Sequence, residues 1–358
     1  MSKFYPLTVS QIRPETRDAV VLNFAVPTDL QAQFAYREGQ HLTLRAQIDG
    51  EDVRRSYSIC SAVQDGQLRV AIKRVQGGVF SNWVHDSLRT GMAIDVMPAM
   101  GHFNFPLAAA HKKHYLAFAA GSGITPILSI IKTTLQSEPH SKFTLVYGNR
   151  ASSTVMFKEE LAALKDSYLQ RLNLVYIMSR ERQDIDLFNG RITAEKCLNL
   201  FDKWIRISDM DAAFICGPED MMQAVSAALQ QSGMPKEHIK IELFAASIPA
   251  HRHVASNQPL PGKSSCAVTI IMDGHHTHFE MEKDRESVLD AALKLGHDMR
   301  YSCKGGVCST CRSKVMEGKV DMDRNYALED YEVARGFVLT CQSFPVSDTL
   351  TLDFDSEN

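Results

Sequence analysis

Four cysteines near the C-terminus, Cys303, Cys308, Cys311 and Cys341, have the type and spacing to hold iron. The first three read C-x4-C-x2-C through Cys303-Lys-Gly-Gly-Val-Cys308-Ser-Thr-Cys311, and Cys341 stands alone on a later segment. This is the ligand spacing of a [2Fe–2S] cluster bound through four thiolates. A structural zinc site would draw on two closely spaced pairs, whereas here three cysteines crowd one loop. Gly305 and Gly306 give the loop the freedom to wrap an inorganic sulfur, because glycine tolerates positive φ. Such a centre passes single electrons.

Other residues have the chemistry to feed it. Arg55-Ser56-Tyr57-Ser58 offers a guanidinium for phosphate oxygens, a ring to stack and hydroxyls for the edge of a heterocycle, a set that suits a flavin nucleotide. Strand alternation puts Arg55 and Tyr57 on one face and Ser58 on the other. Gly77-Gly78-Val79-Phe80-Ser81 leads into a helical stretch, so a helix dipole and open amides would face a phosphate there. The plainer alternative is a turn capped by Ser81.

Gly121-Ser122-Gly123-Ile124-Thr125-Pro126 follows an apolar run and forms a phosphate cradle at a strand-to-helix junction. Pro126 replaces the third glycine of the dinucleotide fingerprint, and the pattern predicts Thr125 as N-cap and Pro126 as the first helical residue. Tyr147-Gly148-Asn149-Arg150 and Cys216-Gly217-Pro218 each end a predicted strand, where open α/β sheets bind ligands. An isolated cysteine such as Cys216 is more commonly a small buried apolar residue. Ser179 and Arg180 end another strand and could grip a 2′-phosphate, so NADPH is expected ahead of NADH, although Glu181 is adjacent. His275, His276 and His278 read as solvated turn residues, not as a second metal site.

These residues need three kinds of scaffold. The first hundred residues read as short strands, Leu7–Ile12, Ala19–Val26, His41–Ile48, Arg55–Cys60, Leu68–Val75 and Ala93–Met97, with one helix at Ser81–Leu88. Strands at that spacing predict a closed antiparallel β-barrel. From Tyr115 apolar runs alternate with helical stretches, which predicts a doubly wound α/β domain on a parallel sheet. The last ninety residues hold a hairpin around Asp273-Gly274, a helix from Ser287 and the cysteine loop, a small α+β domain. The expected division is therefore 1–110 flavin barrel, 111–245 nucleotide domain, 246–265 linker and 266–358 iron–sulfur domain. The linker gathers prolines and serines and would span on the order of 25 Å if flexible.

Composition narrows the classes. A net charge of −3 argues against nucleic acid as a partner, and no stretch approaches the roughly 18 apolar residues of a membrane span. The N-terminus lacks the pattern of a signal peptide, and eight scattered cysteines fit reduced thiols, so a cytoplasmic location is expected.

Taken together and in order, R-x-Y-S, G-x-x-S, G-x-G-x-T-P, Y-G-N-R, C-G-P and Glu242-x-Phe244 resemble the ferredoxin–NADP reductase superfamily. The C-terminal loop is similar to plant-type ferredoxins (a β-grasp fold) and marks the branch of oxygenase reductases. Gln40–Leu44, Arg55–Cys60, Tyr147–Arg150 and Cys303–Cys308 look like the reductase subunits of bacterial phenylacetyl-CoA epoxidase complexes. The resemblance implies that electrons pass from NAD(P)H to flavin, FAD in preference to FMN, then to [2Fe–2S] and on to a separate oxygenase component.

Carried over, Arg55, Ser56, Tyr57, Ser58, Gly78, Val79 and Ser81 would hold flavin. Gly121, Gly123, Thr125, Arg150, Ser179, Arg180, Cys216 and Gly217 would meet the nicotinamide nucleotide. Tyr57, Ser58, Cys216 and Phe244 would frame the reacting rings, with Phe244 lying where nicotinamide enters. Arg300, Lys304, Arg312 and Lys314 surround the cysteines in sequence, as cations to steer an acidic partner or as ordinary solvated charges. The competing readings are a reductase for another acceptor, such as a ring-hydroxylating dioxygenase or a hybrid-cluster protein, and a redox-sensing module without turnover.

Overall fold

The computed structural model describes residues 4–244, 264–283 and 285–356, so most of the expected linker, residues 246–263, lies outside the described residues. The chain divides into two compact units, which among the described residues are 5–53 with 57–244, and 4, 54–56 with 264–356.

Six antiparallel strands come first: β1 (Tyr5–Thr16), β2 (Ala19–Ala25), β3 (His41–Ile48), β4 (Glu51–Ser58, of which 54–56 group with the second unit), β5 (Leu68–Lys73) and β6 (Ala93–Val96), in the order β4-β3-β6-β1-β2-β5. The two ends of that order meet where Ile59 bridges Val70 and Cys60 N–H donates to the Arg69 carbonyl at 2.9 Å, which closes the barrel. Alternate residues, among them Leu7, Leu22, Leu42, Leu44, Val70, Ile72 and Val96, fill its interior. β3 turns into β4 through Asp49-Gly50, both with positive φ (52° and 83°), the mirror-image turn that matches the twist of a hairpin. The helix α1 (Val79–Asp86) packs Phe80 and Val84 into the same core.

The first unit continues as β7 (His114–Ala120), α2 (Ile124–Ser137), β8 (Lys142–Asn149), α3 (Lys158–Ser167), β9 (Leu172–Met178), α4 (Ala194–Lys203), β10 (Ala212–Gly217), α5 (Glu219–Gln231) and β11 (Ile239–Leu243). All five strands are parallel, in the order β11-β10-β7-β8-β9. The direction of winding reverses between β7 and β10, so a crevice opens at the carboxyl ends of those two strands.

The second unit carries β12 (Ser265–Met272), β13 (His275–Glu282), α6 (Val288–Lys294), β14 (Arg312–Glu317), β15 (Val320–Met322), α7 (Asp330–Ala334), β16 (Phe337–Leu339), β17 (Ser343–Pro345) and β18 (Thr349–Asp353). Its main sheet runs β13-β12-β18-β14-β16, with β12 and β18 parallel, and β15 pairs with β17. Asp273-Gly274 makes the second turn with two positive φ values, 53° and 72°, and Ser287 caps α6 by accepting from Asp290 N–H at 3.1 Å.

Two predicted helix starts are corrected. α1 begins at Val79 with Gly78 as its cap position, and α2 begins at Ile124 after Gly123, so neither Ser81 nor Thr125 is an N-cap. Pro126 is the third helical residue, a place that still requires no backbone donor. Ser265, expected as the end of the linker, is the first residue of β12. Among the described residues no helix is long and apolar enough to cross a membrane.

Candidate functional site

β4 delivers Tyr57 and Ser58 to the rim of the barrel. Ser58 is buried and its hydroxyl donates to Glu242 Oε1 at 2.8 Å. Tyr57 is half-buried and its ring leans on Phe80 of α1, centroids 5.8 Å apart. Arg55 is exposed, its Nη1 donating to the Arg54 carbonyl at 2.7 Å, and Ser56 is half-buried.

No side chain caps α1. Gly77 has φ +71° with open space where a Cβ would point, whereas a Cβ on Gly78 would come within 2.8 Å of Ser81 Oγ. Ser81 turns inward: its Oγ accepts from Val75 N–H at 3.1 Å and donates to the Gly78 carbonyl at 3.4 Å. That braces the turn beneath the opening amides, beside which Val79 is 50% exposed. An uncapped helix start with open space over a glycine fits a phosphate of a flavin nucleotide.

The nucleotide crevice is built the same way. Gly121 has φ +53° and nothing lies within 4 Å of where a Cβ would sit, so the space above the loop is open. Gly123 is pressed onto β10, where a Cβ would sit 2.2 Å from the Cys216 carbonyl. Only glycine permits that approach. Tyr147, fully buried on β8, donates its hydroxyl to the Gly121 carbonyl at 2.8 Å, and Thr125 donates to the Ser122 carbonyl at 3.0 Å. The loop is thus held from both sides while α2 opens with no side-chain cap. This fits a nucleotide pyrophosphate.

At the far ends of β8 and β9, Arg150 and Arg180 are exposed on adjoining segments, Arg180 N–H donating to the Arg150 carbonyl at 2.8 Å; Ser179, also exposed, bonds the Asn149 carbonyl at 2.9 Å. Glu181 is engaged elsewhere. Its carboxylate accepts from the side chain and the backbone N–H of Ser152, which hold it below the usual glutamate range.

Glu242, which sequence patterns leave without a role of its own, sits at the centre of the site. It lies opposite Cys216 in the β10–β11 register, one residue before the buried end of its strand. Burial pushes its carboxyl up to about 7, against the lowering effect of the Ser58 hydrogen bond. Burial, with the Glu242 charge beside it, raises the Cys216 thiol well above its ordinary value, so that thiol is neutral. Phe244 follows, half-buried against the core of the nucleotide domain. The signal is present in the sequence as a carboxylate at a strand end, two residues before an aromatic. Ser58 bonds Glu242, Cys216 lies opposite Glu242 in the strand register, and Gly217 is closely packed, a Cβ there falling 2.6 Å from Met221 Cε.

In the other unit, Cys308, Cys311 and Cys341 are buried and Cys303 is partly exposed. Cys303 and Cys308 Sγ lie 3.1 Å apart, and the Cys341 thiol hydrogen-bonds with both Cys303 and Cys311. Gly305 N–H donates to Cys303 Sγ at 3.3 Å. Gly306 takes positive φ (75°) and a Cβ there would come 3.0 Å from the Arg324 carbonyl, but the loop's other left-handed residue is Lys304 (51°) in place of the expected Gly305. The thiols make a string of pairwise contacts. Among the described residues no three His, Cys, Asp or Glu side chains are grouped as a single metal ion would need. Four thiols linked in pairs, with an amide aimed at sulfur, fit the four thiolate ligands of a cluster.

His278 bonds Thr269 Oγ1 at 2.9 Å across the hairpin, and the His276 ring lies 6.4 Å from it. The four cations near the cysteines are engaged within their own unit. Lys304 Nζ meets Asp290 at 2.8 Å, and Arg300 meets Asp273 at 2.5 Å. Arg312 pairs with the buried Glu332 at 2.9 Å, and Lys314 lies over the Phe337 ring at 5.7 Å.

Three family models match this chain: an oxidoreductase FAD-binding domain over residues 6–105, an oxidoreductase NAD-binding domain over 118–227, and a 2Fe-2S iron-sulfur cluster binding domain over 270–346. One of the subunits of 1,2-phenylacetyl-CoA epoxidase from Escherichia coli (strain K12) is 48% identical over 100% of this chain and 99% of its own length. The chain belongs to the ferredoxin–NADP reductase superfamily. The ferredoxin reductase component of 3-ketosteroid-9-alpha-monooxygenase from Rhodococcus rhodochrous is 35% identical over 97% of this chain and 96% of its own length.

Phthalate dioxygenase reductase shares the fold, with a TM-score of 0.58 at 23% identity over 98% of each chain. This protein is therefore an oxidoreductase with FAD-, NAD- and 2Fe-2S-binding domains, a reductase that moves electrons from a nicotinamide nucleotide through flavin to the cluster and on to an oxygenase component.

Proposed function

We propose that this reductase uses NADPH and serves the oxygenase that epoxidises phenylacetyl-CoA, in the cytoplasm. The 48% identity to a component of that epoxidase over the full length supports the acceptor. The exposed Arg150 and Arg180, with Glu181 already occupied by Ser152, support NADPH over NADH, because a 2′-phosphate would meet two cations and no available carboxylate. The domains divide near residues 110, 246 and 265 in this reading, with the matched regions 6–105, 118–227 and 270–346 each falling inside one of them.

The observation that carries the mechanism is the Ser58–Glu242 hydrogen bond, which joins the flavin strand to the nucleotide domain beside Cys216. When bound, nicotinamide and flavin would supply two-electron chemistry and a [2Fe–2S] cluster one-electron chemistry. The chain's residues align them. Tyr57, Gly78, Val79 and the α1 amides would hold flavin, with Ser81 bracing the turn, and the R-x-Y-S pattern implies the same role for Arg55 and Ser56. Gly121, Gly123, Thr125, Gly217 and the α2 amides hold the nucleotide, and Arg150, Ser179 and Arg180 read its ribose phosphate. Ser58 donates a hydrogen bond and Glu242 keeps a proton at hand near neutrality. Cys216 would present a compact uncharged side chain near the nicotinamide, and Phe244 would lie where nicotinamide enters. Cys303, Cys308, Cys311 and Cys341 would ligate the cluster.

The test is reconstitution. Purified protein should carry one FAD and two irons per chain, be bleached by NADPH, and support epoxidation of phenylacetyl-CoA when mixed with the oxygenase component. FMN, zinc, or efficient delivery only to a different oxygenase would each reject the corresponding part.

A further inference from the structure

α2 reads Ile-Thr-Pro-Ile-Leu-Ser-Ile-Ile-Lys-Thr-Thr-Leu-Gln-Ser, and its residues 124–135 are all buried. A helix buried on every side is expected to be apolar all round. This one is not. Ile127, Leu128, Ile131 and Leu135 join the core of the nucleotide domain, whereas Ser129, Lys132, Thr133 and Ser137 form a second stripe at helical spacing.

Each residue of that stripe bonds the barrel segment 61–65, which begins three residues after Ser58. Ser129 Oγ donates to the Ser61 carbonyl at 2.7 Å, and Thr133 Oγ1 accepts from Val63 N–H at 3.2 Å. Lys132 Nζ bonds Asp65 at 2.5 Å and Glu160 of α3 at 2.7 Å, and Gln64 bonds Ser137 at 2.7 Å. Arg69 of β5 completes the charge balance on Glu160 at 3.0 Å. The charged groups are mostly out of water, with side-chain exposures of 9% for Lys132 and between 16% and 22% for its neighbours.

We propose that this buried polar stripe is a register device: Ser129 and Lys132 are positioning residues that set the nucleotide loop at the start of α2 against the flavin strand. Apolar contact is non-directional and would tolerate a helix sliding or rolling on the barrel. Hydrogen bonds are directional and leave buried groups unpaired when misaligned. One residue of slippage along α2 would displace the Gly121–Gly123 loop by about 1.5 Å, and an error of that order at the reacting atoms can cost about a hundredfold in rate. The segment anchored by the stripe is continuous with Tyr57 and Ser58, so a single seam references the flavin strand and the nucleotide loop. This inference rests on the reading that nicotinamide and flavin meet at Ser58.

The experiment compares wild type, Lys132→Met, Lys132→Arg and Ser129→Ala as purified full-length protein. Readouts are flavin per chain, the dissociation constant of NADP⁺, the rate of flavin bleaching at saturating NADPH, and amide hydrogen exchange across residues 61–69. Lys132→Met should slow bleaching about tenfold or more while flavin content is unchanged and NADP⁺ affinity stays within about twofold. Exchange at Val63 should accelerate, Lys132→Arg should recover most of the rate, and Ser129→Ala should show a smaller loss with the same pattern.

An unchanged bleaching rate in flavin-loaded Lys132→Met or Ser129→Ala would overturn the proposal. So would a loss of rate that merely tracks loss of flavin or of NADP⁺ binding. If Lys132→Met does not fold, Ser129→Ala decides by the same criteria. Failure of wild type to bleach with NADPH would instead reject the underlying reading of the site.

Discussion

Glu242 has the clearest consequences at the scale of single residues. Its carboxyl is pushed up to about 7, whereas an unfolded chain would release that proton near pH 4.3. Between those values the folded protein binds more protons than the unfolded one, so this residue's effect on stability is neutral below about pH 4 and becomes a penalty as pH rises towards 7. Glu242→Gln should therefore flatten the fall in urea midpoint between pH 5 and 8, recovering on the order of 2 kcal/mol at pH 8. Ser58→Ala removes the bond that lowers the Glu242 carboxyl, so the ionisation seen in the pH profile of flavin reduction should move upward.

Arg180→Ala should cost NADPH about 1.5–3 kcal/mol of affinity and leave NADH nearly unchanged; equal changes in KM for both nucleotides would refute its role. The places of Arg180 and Cys216 at strand ends and of the four cysteines near one another were legible because their spacing or strand position is local. Glu242 was visible only as part of a string. Its importance comes from meeting Ser58, 184 residues away in sequence, and no local pattern encodes that distance.

At the scale of elements, the glycine loop before α2 is held by Tyr147, so Tyr147→Phe should weaken NADP⁺ binding. The loss of one buried hydrogen bond, about 1 kcal/mol, corresponds to roughly a fivefold rise in the dissociation constant, with flavin content unaltered. Cys311→Ser should abolish the cluster absorbance and cytochrome c reduction while NADPH still bleaches the flavin, since the cysteines lie in a separate compact unit. An equal fall of both activities in flavin-loaded protein would contradict the serial path.

Strand positions were readable from alternation and from the two Asp-Gly turns, whose positive φ values are local properties. Helix starts were not. Ser81 and Thr125 look like caps by residue type, yet both hydroxyls turn back into their own loops and glycines occupy the cap positions. Leaving those amides unclaimed by side chains suits an anion, and a rule tuned to self-satisfied helices misplaces the boundary.

At the scale of the whole molecule, charge is unevenly distributed. Residues 264–358 carry 17 acidic and 10 basic side chains, a net −7, against +4 for the remainder of the chain. With Lys304, Arg300 and Arg312 each paired inside the unit, the expected steering of an acidic partner by these cations loses its support. Lys304→Glu should leave the rate of electron delivery to the oxygenase unchanged at moderate salt, within about twofold. If steering by the acidic unit matters, delivery should fall steeply as ionic strength rises, whereas flavin bleaching by NADPH should not. The three-domain order was legible in the succession of patterns, strands, then strand–helix alternation, then a hairpin with cysteines. The strand order β11-β10-β7-β8-β9 and the closure of the barrel at Ile59–Val70 were not, because both are pairings between distant segments.

The late position of β11 also has a consequence in time. A ribosome adding roughly 5–20 residues per second finishes the barrel well before it reaches Glu242, by an interval on the order of ten seconds. During that interval the nascent flavin strand already exists, with Ser58 facing a place where its carboxylate partner has not yet been made. A barrel that bound flavin early would hold it without Glu242, Cys216 or Phe244 of the nucleotide domain. The order of synthesis therefore separates the ability to bind flavin from the ability to reduce it, and the second is acquired only when one of the last strands of the sheet is in place.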